Sequence, residues 1–124
     1  MRYALLVAVG GAAGSLLRWA LAGAVQRWTA STLPWGTFTV NAIGSLLIGI
    51  VAAISLERAL VSPETRTFLV FGLLGGFTTF SALSYETFAL LRDGQWTVAL
   101  AYSLGSVLVG VSAAIAGFAV GMKL

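Results

Sequence analysis

Four stretches of about 20 mostly apolar residues follow one another in a chain of 124, and a run of that length is what an α-helix needs to cross a bilayer. They lie at 3–25, 35–56, 67–91 and 95–122. The first opens with a basic residue and an apolar run, as a secretory signal does. It continues to Val25, interrupted only by Arg18, and three more spans follow, so it reads as a transmembrane helix. The expectation is an all-α membrane protein, a single four-helix domain over 1–124 with no soluble domain to house a catalytic centre. Such a chain is not expected to be an enzyme. Charged residues make up only 9% of it, against roughly 25% in soluble domains, which also points to lipid as the solvent.

The few charges are informative by position. Seven Lys and Arg face four Asp and Glu, for a net charge of +3, and they are scattered singly. No basic patch for nucleic acid can be assembled from them. With four spans, Arg2, Arg58, Arg66 and Lys123 share one side of the membrane, and Arg27 and Arg92 occupy the other. That weak bias favours both ends inside, yet suits a chain that inserts in either direction. Cysteine and histidine are absent, which removes thiol chemistry and the commonest proton shuttle and metal ligand. A four-helix chain this short does not enclose a polar pathway alone, so oligomerisation is expected.

The connections are marked by turn chemistry. Residues 26–34 read as a loop, with Arg27, Trp28 and Trp35 in an interfacial belt and Pro34 placed to start the second helix. Residues 57–66, ERALVSPETR, read as an aqueous loop whose Ser-Pro-Glu starts the third span, and Arg92-Asp93-Gly94 as a tight turn. Within the third span lies GLLGGFTTFSALSY, residues 72–85. Two glycines followed by hydroxyls and phenylalanines predict a helix broken at mid-membrane, where protein or water must satisfy the freed backbone. Gly10 and Gly14, Gly72 and Gly76, and Gly117 and Gly121 are each four apart, a spacing that lets helices approach closely.

Polar residues inside the spans fall into lines. Thr37, Asn41 and Ser45 recur at spacing four and form one stripe on the second helix. Asn41 is its sharpest member, with two amide donors that need partners; an interhelical hydrogen bond and a lined pathway both suit it. Tyr102 and Ser106 repeat the pattern on the fourth helix, whereas Ser103 and Ser112 lie off the line and are expected to bond their own i−4 carbonyls. The third span adds Thr78, Thr79, Ser81 and Ser84 around Phe77 and Phe80. The positive edge of Phe80 suits an anion, although packing or lipid contact is the ordinary fate of such a ring. Two ionisable residues lie within the spans. Arg18 either snorkels or draws anions into a vestibule, and Glu86 pairs, caps or hydrogen-bonds. Neutral donors, an aromatic edge and one arginine suit a small anion whose hydration shell is replaced stepwise.

GGAAGSLLRW (10–19), GTFTVNAIGS (36–45) and GLLGGFTTFS (72–81) together resemble the three signatures of the Fluc-type fluoride channels, also called CrcB fluoride exporters. The resemblance covers essentially the whole chain. It implies an antiparallel, dual-topology homodimer in the cell membrane that passively exports cytoplasmic fluoride through two pores at the subunit contact. Thr37 and Asn41 would be pore donors, Phe80 the first phenylalanine of an aromatic box, and Ser81, Tyr102 and Ser106 part of a polar track. Arg18 would be the vestibule arginine and Glu86 the carboxylate behind the hydroxyls. Carbonyls of Gly75 and Thr78 from both subunits would hold a structural Na+. The family commonly reads TTFSTFS; this chain has Ala82 and Leu83 at the second Thr-Phe, and leucine has no quadrupole edge to offer an anion. Two other readings compete. A small multidrug-type exporter has similar size, but its coupling glutamate lies in the first helix, where this chain has none. A non-transporting assembly subunit would need only the packing roles of these residues.

Overall fold

The computed structural model describes all 124 residues and is helical throughout. Helix α1 (Arg2–Thr29) leads into α2 (Trp35–Ala52), which ends in a π-helical turn, Ala53–Glu57. The third span is composite: α3 (Pro63–Thr67), a π-helical segment (Phe68–Leu74), α4 (Gly75–Phe77) and α5 (Phe80–Arg92). Helix α6 (Trp96–Gly121) completes the chain's four span-length apolar units.

Most boundaries follow local chemistry. Ser62 caps α3, its hydroxyl accepting from the Thr65 N–H at 3.2 Å, with Pro63 in the first turn where its missing N–H costs nothing. Gly94, at φ 78°, closes the turn between α5 and α6. Helix α1 runs past the expected end at Val25, because Gln26 serves the following turn from inside the helix. Its Nε2 donates to the Ser31 and Leu33 carbonyls at 2.7 and 2.8 Å, and its Oε1 accepts from the Gly36 N–H at 3.1 Å. The loop therefore shrinks to 30–34. The third span likewise begins at Pro63, shortening the expected 57–66 loop.

Two helix pairs set the architecture. Helix α1 lies along the π-helical segment and α4, and α2 lies along α6. Both contacts are backbone against backbone. A Cβ at Gly10 would lie 2.8 Å from the Phe68 carbonyl oxygen, and one at Gly14 would overlap the carbonyl of Leu73. Across the other pair, Gly49 meets the Ala114 carbonyl and Gly117 meets that of Leu46, while a Cβ at Gly121 would lie 2.6 Å from the Ala53 side chain. Small residues at such seams maximise dispersion contact where lipid offers no hydrophobic drive. Polar ties fasten the same end of the bundle: Arg2 pairs with Glu64 at 3.0 Å, and Arg58 donates to the Met122 carbonyl at 2.6 Å.

Only 17 of 124 residues are buried, and Val40 is the only large side chain fully enclosed. Leucines such as Leu16, Leu104 and Leu108 lie open along whole helix faces, which only lipid or another apolar surface can cover. Gly11, by contrast with its neighbours, faces open space. Gly14→Val is therefore expected to destabilise by about 1–3 kcal/mol through overpacking. Gly11→Ala should be neutral or stabilising by up to about 1 kcal/mol through helix propensity. Thermal denaturation of the two variants in detergent, followed by size-exclusion chromatography, checks the contrast.

Candidate functional site

The site grows from a backbone problem. Thr78 (φ −87°, ψ 156°) and Thr79 (φ −150°, ψ 113°) are extended between α4 and α5, near the middle of a 30-residue span. An extended pair inside a helix leaves peptide groups without their i−4 partners, and in an apolar setting each such group is expensive. Side chains from two helices and from the extended pair itself answer. The Asn41 carboxamide closes a reciprocal pair with Thr79: Nδ2 donates to the Thr79 carbonyl at 3.0 Å, and Oδ1 accepts from the Thr79 N–H at 2.8 Å. The Arg18 Nε donates to the Gly76 carbonyl at 3.0 Å. The Thr79 hydroxyl caps α5 by accepting from the Ala82 N–H at 3.1 Å, and the Thr78 hydroxyl returns to the Leu74 carbonyl at 2.9 Å.

A second tier lies one turn away, about 6 Å along α2 and α6 at 1.5 Å per residue. There Glu86 is shared. Thr37 donates to its Oε1 at 2.7 Å and Tyr102 to its Oε2 at 2.6 Å, so one carboxylate ties α2, α5 and α6 together. A hydroxyl has one proton to give. Those of Thr37 and Tyr102 are engaged by Glu86, whereas Asn41 keeps one amide hydrogen beyond its bond to Thr79. Ser106 goes further: its Oγ is buried without any hydrogen-bond partner.

Several of these groups border two spaces. A cavity of about 540 Å³ is lined by Asn41, Ser45, Thr78, Thr79 and Ser106 on its polar side and by Phe80, Leu83 and aliphatic residues elsewhere. It contains no charged side chain. Phe80 is 79% exposed, so its ring has no cover from its own chain. A second pocket of about 610 Å³ holds the basic groups, Arg18 and Arg27, with Ser15, Gln26 and Thr37. The stripe of Thr37, Asn41 and Ser45 and the pair Tyr102 and Ser106 are thus brought together as two tiers, but Tyr102 lines neither space; it borders a separate apolar pocket of about 240 Å³ with Phe38 and Val109. Ser81 is not on either cavity wall; it is exposed, with its hydroxyl 3.3 Å from that of Thr79. Ser103 bonds its own i−4 carbonyl, that of Ala99, at 2.9 Å, as its position off the stripe implies.

No three His, Cys, Asp or Glu side chains converge, so a cation here would have to be met by other oxygens. Gly75 and Thr78 both line the larger cavity, Gly75 is exposed, and no backbone N–H reaches the Thr78 carbonyl. Free carbonyl oxygens at the C-terminal end of a helix suit a hard monovalent cation. Two residues of the site carry more than their sequence context announced. Thr79 is the junction of the break, and its only signal was the Thr-x-Ser-Ala pattern ahead of a helix. Arg27 joins Arg18 in one pocket, which follows only from α1 continuing to Thr29.

Because both oxygens of Glu86 accept, Glu86→Gln should leave one of the two hydroxyls without its acceptor. A loss of about 1–3 kcal/mol is expected. In a Tyr102→Phe background the same change should cost less, and thermal unfolding of the four proteins of this cycle measures the coupling.

A family model described as CrcB-like protein, Camphor Resistance (CrcB), matches residues 5–118. The fluoride-specific ion channel FluC of Thermus thermophilus is 53% identical over 120 residues, covering 97% of this chain and 95% of that protein. Proteins of the same name from Methylobacillus flagellatus and Aquifex aeolicus are 45% and 43% identical, each across 95% of this chain and across 93% and 95% of their own lengths. Each of these relatives is named a channel and none an enzyme. With four helices long and apolar enough to span a membrane, this is a multi-pass membrane protein, and the chain belongs to the CrcB family.

Proposed function

We propose that this protein is a passive fluoride-selective channel of the cell membrane, in which two antiparallel copies form two pores at their contact and let cytoplasmic fluoride escape. The observation that carries the reading is the lining of the 540 Å³ cavity, neutral hydrogen-bond donors and aromatic or aliphatic walls with no charged side chain. A small, strongly hydrated anion needs donors to leave water, and weak, multiple sites let it move on. The names of the relatives supply the identity of the ion.

In this mechanism Arg18 and Arg27 raise the local anion concentration in the 610 Å³ pocket. Asn41 offers its remaining amide hydrogen and Ser106 its unpartnered hydroxyl. Thr37 and Tyr102 can turn their hydroxyls from Glu86 to a passing ion, with Glu86 restoring them afterwards. Phe80 presents a ring edge, and Leu83 replaces a second edge with a purely apolar surface on the same cavity. Ser81, exposed beside Thr79, extends the donors toward the partner copy.

The exposure of Phe80 and of long leucine faces supports a second copy as the missing wall, and the weak charge bias between the two sides supports antiparallel insertion. Carbonyls of Gly75 and Thr78 from both copies would hold a Na+, which would offset the negative end of the broken helix where the subunits cross.

Liposomes carrying the purified protein are expected to release fluoride in strong preference to chloride without a proton gradient; efflux no faster than from empty vesicles overturns the reading. Asn41→Asp places an acceptor against the Thr79 carbonyl and removes the free amide hydrogen. Fluoride flux through that variant should fall by about tenfold or more, a barrier increase of about 1.4 kcal/mol, as measured by a fluoride electrode.

A further inference from the structure

Thr79 is the residue through which α2 and α5 are joined at the break. Its backbone faces one way: both its N–H and its carbonyl are held by Asn41 of α2, at 2.8 and 3.0 Å. Its side chain faces the other: the hydroxyl accepts from the Ala82 N–H at 3.1 Å and lies 3.3 Å from the Ser81 hydroxyl. The residue is only 9% exposed although it borders the 540 Å³ cavity. No other residue of the break bonds both neighbouring helices. The Thr78 side chain turns back to Leu74, and the side chain that meets the Gly76 carbonyl is Arg18 of α1.

The first turn of α5 carries Phe80 and Leu83, both on the wall of the 540 Å³ cavity. Phe80 is too exposed for packing within the chain to fix it. What aims that turn is the peptide that precedes it. Asn41 fixes the plane of the Thr79 peptide relative to α2, and the hydroxyl cap carries that orientation into the axis of α5. We infer that Thr79 is a positioning residue for the anion path, transmitting the location of Asn41 to Phe80 and Leu83 so that the amide donor and the apolar walls keep a fixed separation. The inference rests on the fluoride-channel reading for its functional consequence, though the mechanical link stands on geometry alone. Selectivity depends on that separation: an oversized or undersized gap between donor and wall fits a different anion.

The experiment compares wild type with Thr79→Val, Thr79→Ala and Thr79→Ser. Valine and alanine remove the cap but leave the backbone pair with Asn41 available, serine keeps both, and alanine serves if valine does not fold. Each protein is reconstituted at equal folded amount, judged by its size-exclusion peak. Fluoride and chloride efflux are measured, and hydrogen exchange is followed over residues 78–85. The expected result is a flux of fluoride per folded protein lowered roughly fivefold or more in the capless variants, the factor expected if about 1 kcal/mol of cap energy is lost from the conducting arrangement. A reduced fluoride-to-chloride ratio, faster exchange in the first turn of α5, and recovery of all three by serine should accompany it. A capless variant with unaltered flux and selectivity per folded protein overturns the inference, even if it melts earlier. If wild type itself fails to conduct, the channel reading falls, and the exchange data still decide whether Thr79 holds α5: unchanged exchange overturns the link.

Discussion

The centre of this fold is arranged around one requirement, that peptide groups exposed by the extended pair Thr78 and Thr79 find partners where lipid supplies none. Asn41 on α2 and Arg18 on α1 meet that need from two sides of the bundle. Both are strongly polar side chains in apolar helices, and both would be costly if the third span were continuous. The break and its supporters are thus mutually dependent. Removing either leaves the other as an unsatisfied group, so Asn41 cannot be changed without disturbing the backbone it holds.

Bringing those side chains within reach requires helices that nearly touch. The seams of α1 with the third span and of α2 with α6 are built on glycines facing carbonyls. A larger residue at Gly10 or Gly14 would move α1 outward and take Arg18 away from Gly76. Gly44 adds a finer constraint, because the Thr78 methyl fills the space its side chain would need, and Gly44 sits on α2 between Asn41 and Ser45. The polar stripe and the glycine seams are therefore two aspects of one arrangement: the seams set the distance and the stripe uses it.

Much of this was legible in the residues. Four apolar runs gave the spans, spacing four gave the stripes, and Gly-Gly before a run of hydroxyls drew attention to the third span. What resisted was of two kinds. The π-helical segments, Ala53–Glu57 and Phe68–Leu74, arise from how one helix settles against its neighbours, and Phe-Leu-Val-Phe-Gly-Leu-Leu carries no local preference for them. Partners in space were the other. Sequence could say that Asn41 needs hydrogen bonds and that Glu86 stands behind hydroxyls, but not that the backbone of Thr79 supplies two bonds to Asn41, nor that Thr37 and Tyr102 each take one oxygen of Glu86. Gln26 was hidden because a glutamine at the end of an apolar run looks like the start of a loop, and only the fold reveals it closing one.

The connections between spans are confined to 30–34, 58–62 and 93–95, and Gln26 and Gly94 draw two of them tight against the helix ends. Connections this short tether successive helix ends to one another, so a displacement of one span at the membrane surface is passed directly to the next.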